Sequence, residues 1–412
     1  MLKNLRWIVP IIMASGIAGP AAADVITDWN EKAVAFVTTH KMLPPPAERT
    51  VAAMHVAMFD AVNSIERRYR PYAVQPAAAK DASPEAAAAT AAARVLAALH
   101  PNAADEFTAM LTAYLAALPA GAAKDNGIKL GEAVAAEIAG RRAHDGSDAP
   151  DAYRPNTKPG LYVPTPITAS SMWPNVTPFA MRSPSQFRPD APIPLASAQW
   201  AADYNEIKAL GGKTSNARSA RQTEDARFWL ITGPQSYYPI ARRLVTAKKM
   251  NLIESARFMA LTAVATSDAY VAVFDAKYHY QFWRPITAIR NGDMDDNAAT
   301  ERDAAWQPID NTPMHPEYPC AHCITSAAVA AVAETLLGSA DVPELTMTSS
   351  SAPGVTHRWT NLRAYTDEVS VARIYAGFHY RFSTKVGQDM GRKIAAFVVQ
   401  NVMQPVSVAE VR

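Results

Sequence analysis

Apolar residues recur along most of this chain at i, i+3, i+4 and i+7, and runs that alternate apolar with polar residues are scarce. "DWNEKAVAFVTTH" and "AERTVAAMHVAMFDAVNSIERRY" carry the helical period, with Pro44 to Pro46 separating them. Ala-rich helices are predicted in "SPEAAAATAAARVLAALH", "AADEFTAMLTAYLAAL" and "AKDNGIKLGEAVAAEIAGRRA". Leu, Val, Phe and Tyr return on one face of them, the pattern of close helix packing rather than of a disordered repeat. This first block covers roughly residues 26–143. A second block begins near Ser197 with "SAQWAADYNEIKAL", "ARSARQTEDARFWLI" and "MNLIESARFMALTAVATSDAYVAVFDAKYHYQFWR". It ends in "HCITSAAVAAVAETLL" and "DEVSVARIYAGFHYRFSTKVGQDMGRKIAAFVV".

Between the blocks, residues 145–197 are crowded with prolines. A structureless stretch of that length is unusual unless it wraps the fold or covers a site, and Trp173, Phe179 and Phe187 give it apolar anchors. The expectation is an all-α protein of two packed helical bundles, residues 24–144 and 198–412, joined by a wrapping segment at 145–197.

Composition changes this picture at the N-terminus. Lys3 and Arg6 precede an apolar run from Trp7 that ends in "PAAAD", the layout of a signal peptide spanning residues 1–23. The run is broken by Pro10, Gly16, Gly19 and Pro20, so no stable membrane span is expected after cleavage. A periplasmic or secreted protein is expected. Without Lys3 and Arg6 the chain keeps 38 basic against 38 acidic residues, so it presents no basic field for nucleic acid. Exposed apolar faces on Ala-rich helices make a homodimer plausible. His55 reads as a satisfied core histidine.

The candidate chemistry lies in three segments of the second block. In "KYHYQFWRP", Lys277 and Arg284 stand seven apart, two helical turns, so both can project from one helix face. Two cations held together imply an anion between them. In "EYPCAHCIT", Pro319 precedes a strongly helical run, so residues 320–322 should open a helix, where unpaired N–H groups and the dipole attract an anion. His322 beside that anion would be held protonated and could act as a general acid. In "ARIYAGFHYRF", Arg373 and His379 are six apart, which leaves them on different sides of an ideal helix, and Gly377 is the residue that would permit an irregular turn.

Both cysteines of the chain, Cys320 and Cys323, flank His322. They could form a bridge or stay reduced. A redox Cys-x-x-C is one reading, although such motifs follow a strand in a small α/β domain and the flanks here are helical. A zinc site would need a second ligand pair, and His315 is the only near candidate. A haem attachment motif fails because Ile324 follows Cys323.

Taken together, Lys-x6-Arg-Pro, Pro-x-x-His and Arg-x5-His, in that order, resemble the superfamily joining vanadium-dependent haloperoxidases to type 2 phosphatidic acid phosphatases and bacterial acid phosphatases. "HVAMFDAVNSI", the Pro-rich middle and "FDAKYHYQFWRPITAIR" are similar to bacterial vanadium-haloperoxidase-like proteins. The resemblance implies two helical bundles and a deep oxyanion pocket. It implies that Lys277, Arg284 and Arg373 neutralise the oxyanion, with Cys320 and the N–H of Ala321 contributing, and that His322 is the acid–base residue. His379 would bond vanadium, or attack phosphorus in a phosphatase. The cofactor implied is vanadate, and the substrates hydrogen peroxide and halide. The alternative is an acid phosphatase that needs no cofactor, works through a phosphohistidine and takes a phosphoester; a periplasmic thiol oxidoreductase is a second.

The chain departs from that signature. Cys320-Ala321 replace Ser-Gly before the histidine, Ala372 replaces the Ser before the arginine, and Ser383 stands for the closing Asp. Ala is tolerable in place of Gly unless φ is positive, and a free thiol beside bound peroxide would be an oxidation target. With that Asp gone, Asp268 is the candidate carboxylate for orienting a pocket cation or histidine. His315 lies seven residues before His322, where the family places Phe in chloroperoxidases and His in algal bromoperoxidases, which points to bromide rather than chloride.

Overall fold

The computed structural model describes residues 24–164 and 167–406, and the expected signal peptide at 1–23 lies outside them. Five helices build the first block: α1 Val25–Thr39, α2 Pro44–Glu66, α3 Pro84–Leu99, α4 Ala104–Ala116 and α5 Ala122–Arg142. Their starts follow local chemistry. Asp24 accepts from Thr27 N at 2.8 Å to cap α1, and Ser83 caps α3. Pro44 does not merely separate α1 from α2; it opens α2, where its missing N–H costs nothing. The alanines of α3 from Ala86 to Ala93 are buried, so its Ala-rich sequence serves close packing against α2 and α5.

The second block holds α6 Ala198–Gly211, α7 Ala220–Phe228, α8 Tyr238–Ala247, α9 Leu252–Tyr280, α10 Pro285–Arg290, α11 Ala321–Leu337, α12 Leu362–Tyr375 and α13 Arg381–Asn401. A capping box of Asn251 and Glu254 starts α9. This 29-residue helix is apolar nearly all round and is buried from Ile253 to Lys277 with few breaks, so it serves as the central core helix. It packs against α2 of the first block and against α11 and α13 of the second, and one apolar core runs through both blocks.

Two expectations about elements need correction. The segment after α11 forms an antiparallel hairpin, β1 Asp341–Ser349 and β2 Ala352–Asn361, pairing Leu345 with Trp359 and Met347 with His357. Its apolar alternation, Leu345 and Met347 inward between threonines, is short and threonine-rich, and it was not anticipated among helical signals. The stretch "DEVSVARIYAGFHYRF" is two helices, α12 and α13, broken at Ala376–Tyr380.

The Pro-rich segment packs down on the fold. Trp173 and Phe179 are buried, and Arg188 pairs with Asp275 through two 2.8 Å bonds. Asp268 supplies the main anchor: its carboxylate accepts from the N–H groups of Phe179, Ala180 and Met181 at 2.6–2.8 Å. Asp268 therefore orients no pocket residue, contrary to expectation. Burial still pushes its pKa up to about 6 despite those donors.

Candidate active site

Lys277 lies in the last turn of α9, but Arg284 does not share its helix. Gln281, left-handed at φ 51°, ends α9, and Arg284 is the N-cap residue of α10. The Pro-rich segment braces the break: Gln281 O accepts from Tyr162 N at 2.6 Å, and Trp283 N donates to Gly160 O at 3.0 Å. The two cations therefore do not project from one helix face, as their spacing suggested. Both are fully buried. Lys277 Nζ donates to the carbonyls of Pro316 and Glu317 at 2.9 and 2.6 Å. Arg284 donates to the carbonyls of His315 and Phe378 at 2.8 and 2.9 Å.

The opening helix end is as expected, with α11 starting at Ala321. The N–H groups of Ala321 and His322 have no carbonyl one turn below to bond, which leaves them for an anion. Ala321 is not among the residues with positive φ, so Ala in place of Gly is accommodated. Cys320 contradicts its expected role. Its Sγ is bonded to Cys323 Sγ and accepts from Cys323 N at 3.2 Å, so it caps the helix and has no S–H to offer an oxyanion. No free cysteine exists among the described residues, which removes both the oxidisable thiol and a cysteine zinc ligand. The docking of α13 on this helix end is close: a Cβ at Gly387 would lie 2.6 Å from Cys320 O.

Arg373 and His379 converge because α12 stops between them. Gly377 takes φ 79°, and Phe378 N and His379 N both bond back to Arg373 O at 3.1 and 3.3 Å. A Cβ at Gly377 would also meet Gly211 O at 2.5 Å, so glycine is required twice over. Arg373 is buried, donates to Trp229 O, and leaves its Nε without a partner.

His379 donates from Nδ1 to Glu317 Oε1 at 2.8 Å, and Glu317 also accepts from Tyr380 N at 3.1 Å. Arg284 Nη1, which can only donate, lies 3.3 Å from His379 Nε2. The tautomer follows: Nδ1 carries the hydrogen and Nε2 the lone pair. Glu317 was not singled out from sequence, although it stands inside the "EYPCAHCIT" stretch. The signal available was a lone carboxylate two residues before Pro319, ahead of the helix that carries His322. Ser383, which replaces the expected Asp, has its hydroxyl next to Glu317, so the orienting carboxylate comes from the preceding loop instead.

Ala321, His322, Arg373, His379 and His315 line one cavity of about 170 Å³. Its walls also include Leu43, Pro44 and Pro45 at the start of α2, Ser170 of the Pro-rich segment, Thr232 and Phe274, none of them foreseen. Lys277 and Arg284 do not line the cavity themselves; Arg284 reaches its wall by donating from Nη2 to His315 Nδ1 at 2.9 Å. His322 donates through Nε2 to Ile231 O at 2.8 Å.

The electrostatics are those of an anion site. Burial pushes Lys277 well below its ordinary pKa, with Arg284 adding to the effect. Burial lowers Arg284 and Arg373 to about 10. Burial holds His315, His322 and His379 well below the ordinary histidine range, reinforced by Arg284 at His315 and His379 and by Arg373 at His322. Glu317 is pushed up to about 7 by burial, against the pull of Lys277 and Arg284. One buried carboxylate faces three buried cations, and a doubly or triply charged oxyanion would offset the excess. The partnerless Nε of Arg373 can donate to such a group, and the His379 Nε2 lone pair, which accepts from Arg284 Nη1 at 3.3 Å, could bond it instead, so the residues present fit vanadate or phosphate equally.

Fold and site define the class of helical proteins with a buried pocket lined by arginine and histidine and suited in charge to an oxyanion. Within that class, residues 257–407 match the family described as the VCPO second helical-bundle domain. Over 184 residues the chain is 31% identical to the vanadium chloroperoxidase of Curvularia inaequalis, a match covering 37% of this chain and 29% of that protein. Its structure resembles that of a bacterial vanadium-dependent iodoperoxidase, described as the first of its kind, with TM-score 0.79, 22% identity, and coverage of 95% of this chain and 99% of that one. It also resembles a holo-type bacterial vanadium-dependent chloroperoxidase, with TM-score 0.70, 16% identity, and 87% and 92% coverage. Residues 257–407 thus match the VCPO second helical-bundle domain, and the chain as a whole has the fold of the vanadium haloperoxidase structures.

Proposed function

We propose that this protein is a vanadate-dependent haloperoxidase that oxidises bromide or iodide with hydrogen peroxide. The observation that carries this reading is His379, oriented by Glu317 so that Nε2 presents a lone pair among three buried cations. Lys277, Arg284 and Arg373 would hold the oxyanion's charge, with the N–H of Ala321 bonding one oxygen and His379 Nε2 bonding vanadium. Bound vanadate would supply a Lewis-acid centre at which peroxide becomes able to oxidise a halide. His322 is neutral beside Arg373, and an anion would raise its pKa, so it could take a proton from peroxide and return one on product release.

Two features favour this over the phosphatase reading. The cavity is small and walled by Leu43, Pro44, Pro45 and Phe274, which suits peroxide and a halide better than a large phosphoester. The bridging of Cys320 with Cys323 leaves no thiol for an oxidant. His315 in the cavity wall, and the iodoperoxidase among the similar structures, support a softer halide over chloride. A buried disulfide also supports an exported protein. The test is halogenation of a phenol-type acceptor with peroxide and bromide, iodide or chloride, with and without orthovanadate, alongside phosphomonoester hydrolysis without vanadate. Vanadate-dependent bromination or iodination supports the proposal; phosphate release without any halogenation overturns it.

A further inference from the structure

Outside the oxyanion pocket, we infer that Glu224, Asp225 and His357 form a binding site for a divalent first-row metal ion, with zinc the best match. Glu224 and Asp225 belong to α7 and His357 to β2, and one ligand atom from each lies within 4.8 Å of the others. His357 is 1% exposed, and its Nε2 has no hydrogen-bond partner. Its Nδ1 donates to Glu368 Oε1 at 2.6 Å, so in the neutral ring Nε2 carries a lone pair. That lone pair faces Glu224 Oε1 at 3.7 Å and Asp225 Oδ1 at 3.9 Å.

Those separations are too long for N–H···O bonds. Two ligand atoms sharing a tetrahedral zinc at ordinary bond lengths stand roughly 3.3–3.5 Å apart, a few tenths of an ångström closer than here. One imidazole nitrogen and two carboxylates suit zinc or manganese better than calcium, which prefers oxygen throughout. The outer arrangement is that of a metal-ligand histidine. Glu368 fixes the tautomer and is itself held by the indole N–H groups of Trp229 and Trp359, each at 3.0 Å. Phe228 stacks on the His357 ring at 3.8 Å and 6°, which fixes its plane.

The cation now facing the cluster is Arg221. It lies 2.9 Å from both Glu224 Oε1 and Asp225 Oδ1 and 3.9 Å from Glu368, yet Asp225 Oδ1 has no aligned hydrogen bond. Its side chain is 59% exposed and can swing into solvent, which opens the route for an ion. Bound there, the ion would tie α7 to the hairpin immediately before Trp229 and Ile231, whose carbonyls hold Arg373 and His322.

The test uses the full chain stripped with chelator, dialysed against Zn²⁺, Mn²⁺ or Ca²⁺, and read by elemental analysis and thermal melting. One zinc per chain and a raised melting temperature are expected. Glu224→Gln and Glu368→Gln should each weaken binding about 10–100-fold. Arg221→Gln should tighten it several-fold, and His379→Gln should leave it unchanged. Absence of bound metal in both the wild type and Arg221→Gln overturns the inference. So does zinc that survives Glu224→Gln and His357→Gln but is lost with His379→Gln, since that ion would belong to the oxyanion pocket.

Discussion

Glu317 Oε1 accepts the Nδ1–H of His379 at 2.8 Å, and that one bond decides which nitrogen of His379 faces the three cations. Carboxylates in this position raise the basicity of the imidazole and lock its plane. Glu317→Gln keeps an acceptor but removes the charge. Vanadate affinity, measured by equilibrium dialysis, should fall about tenfold, while thermal stability should change little. Unchanged affinity would mean that Glu317 only fills space.

Gly377→Ala tests the turn that brings Arg373 to His379. The substitution places a β-carbon at φ 79° and against Gly211 O. A stability loss of about 2 kcal/mol or more in urea denaturation is expected, because strain and overpacking act together. Vanadate binding should weaken in the fraction that remains folded.

Glu48 reports on the interface between the two helical blocks. It is fully buried, accepts the hydroxyls of Tyr238 and Thr266 at 3.2 and 3.1 Å, and burial pushes its pKa up to about 8. The folded chain therefore keeps a proton that the unfolded chain has lost, and this group's contribution to stability falls as pH rises from about 4.5 to about 8. Glu48→Gln removes that dependence. Relative to wild type, the variant should gain on the order of a few kcal/mol between pH 5 and pH 8 in urea midpoints. An equal pH response in both proteins would contradict the assignment.

Cys320 and Cys323 should give no signal with a thiol reagent in the unfolded, unreduced protein. Closing so short a loop contributes only about 2 kcal/mol, and Ser at position 320 is a better N-cap than Cys. Replacing both cysteines by serine should cost at most that amount and leave vanadate affinity within about threefold. A large loss of affinity would show that the bridge itself shapes the Ala321–His322 turn.

The sequence revealed the helices and the three charged segments because helical period and residue type are local. It could not reveal how the segments meet. Lys277 and Arg284 converge through a left-handed Gln281, and Arg373 and His379 through a left-handed Gly377. Only the second break has a glycine to announce it. Asp268 looked like a site carboxylate because it shares α9 with Lys277, yet it faces the Pro-rich segment, and the orienting role falls to Glu317 from a loop 49 positions further on. One part of the cavity's wall, Leu43 to Pro45, comes from the other block, and no local pattern marks such a distant contact. The β1–β2 hairpin was hidden for a different reason, since its alternation is confined to a few residues.

The central claim is that His379 anchors an oxyanion within the cage of Lys277, Arg284 and Arg373. Equilibrium dialysis of orthovanadate against wild type and His379→Ala, with phosphate as competitor, tests it most directly. One vanadate per chain, displaced by phosphate and lost in His379→Ala, is the predicted result; wild-type stoichiometry and affinity in His379→Ala would contradict the account.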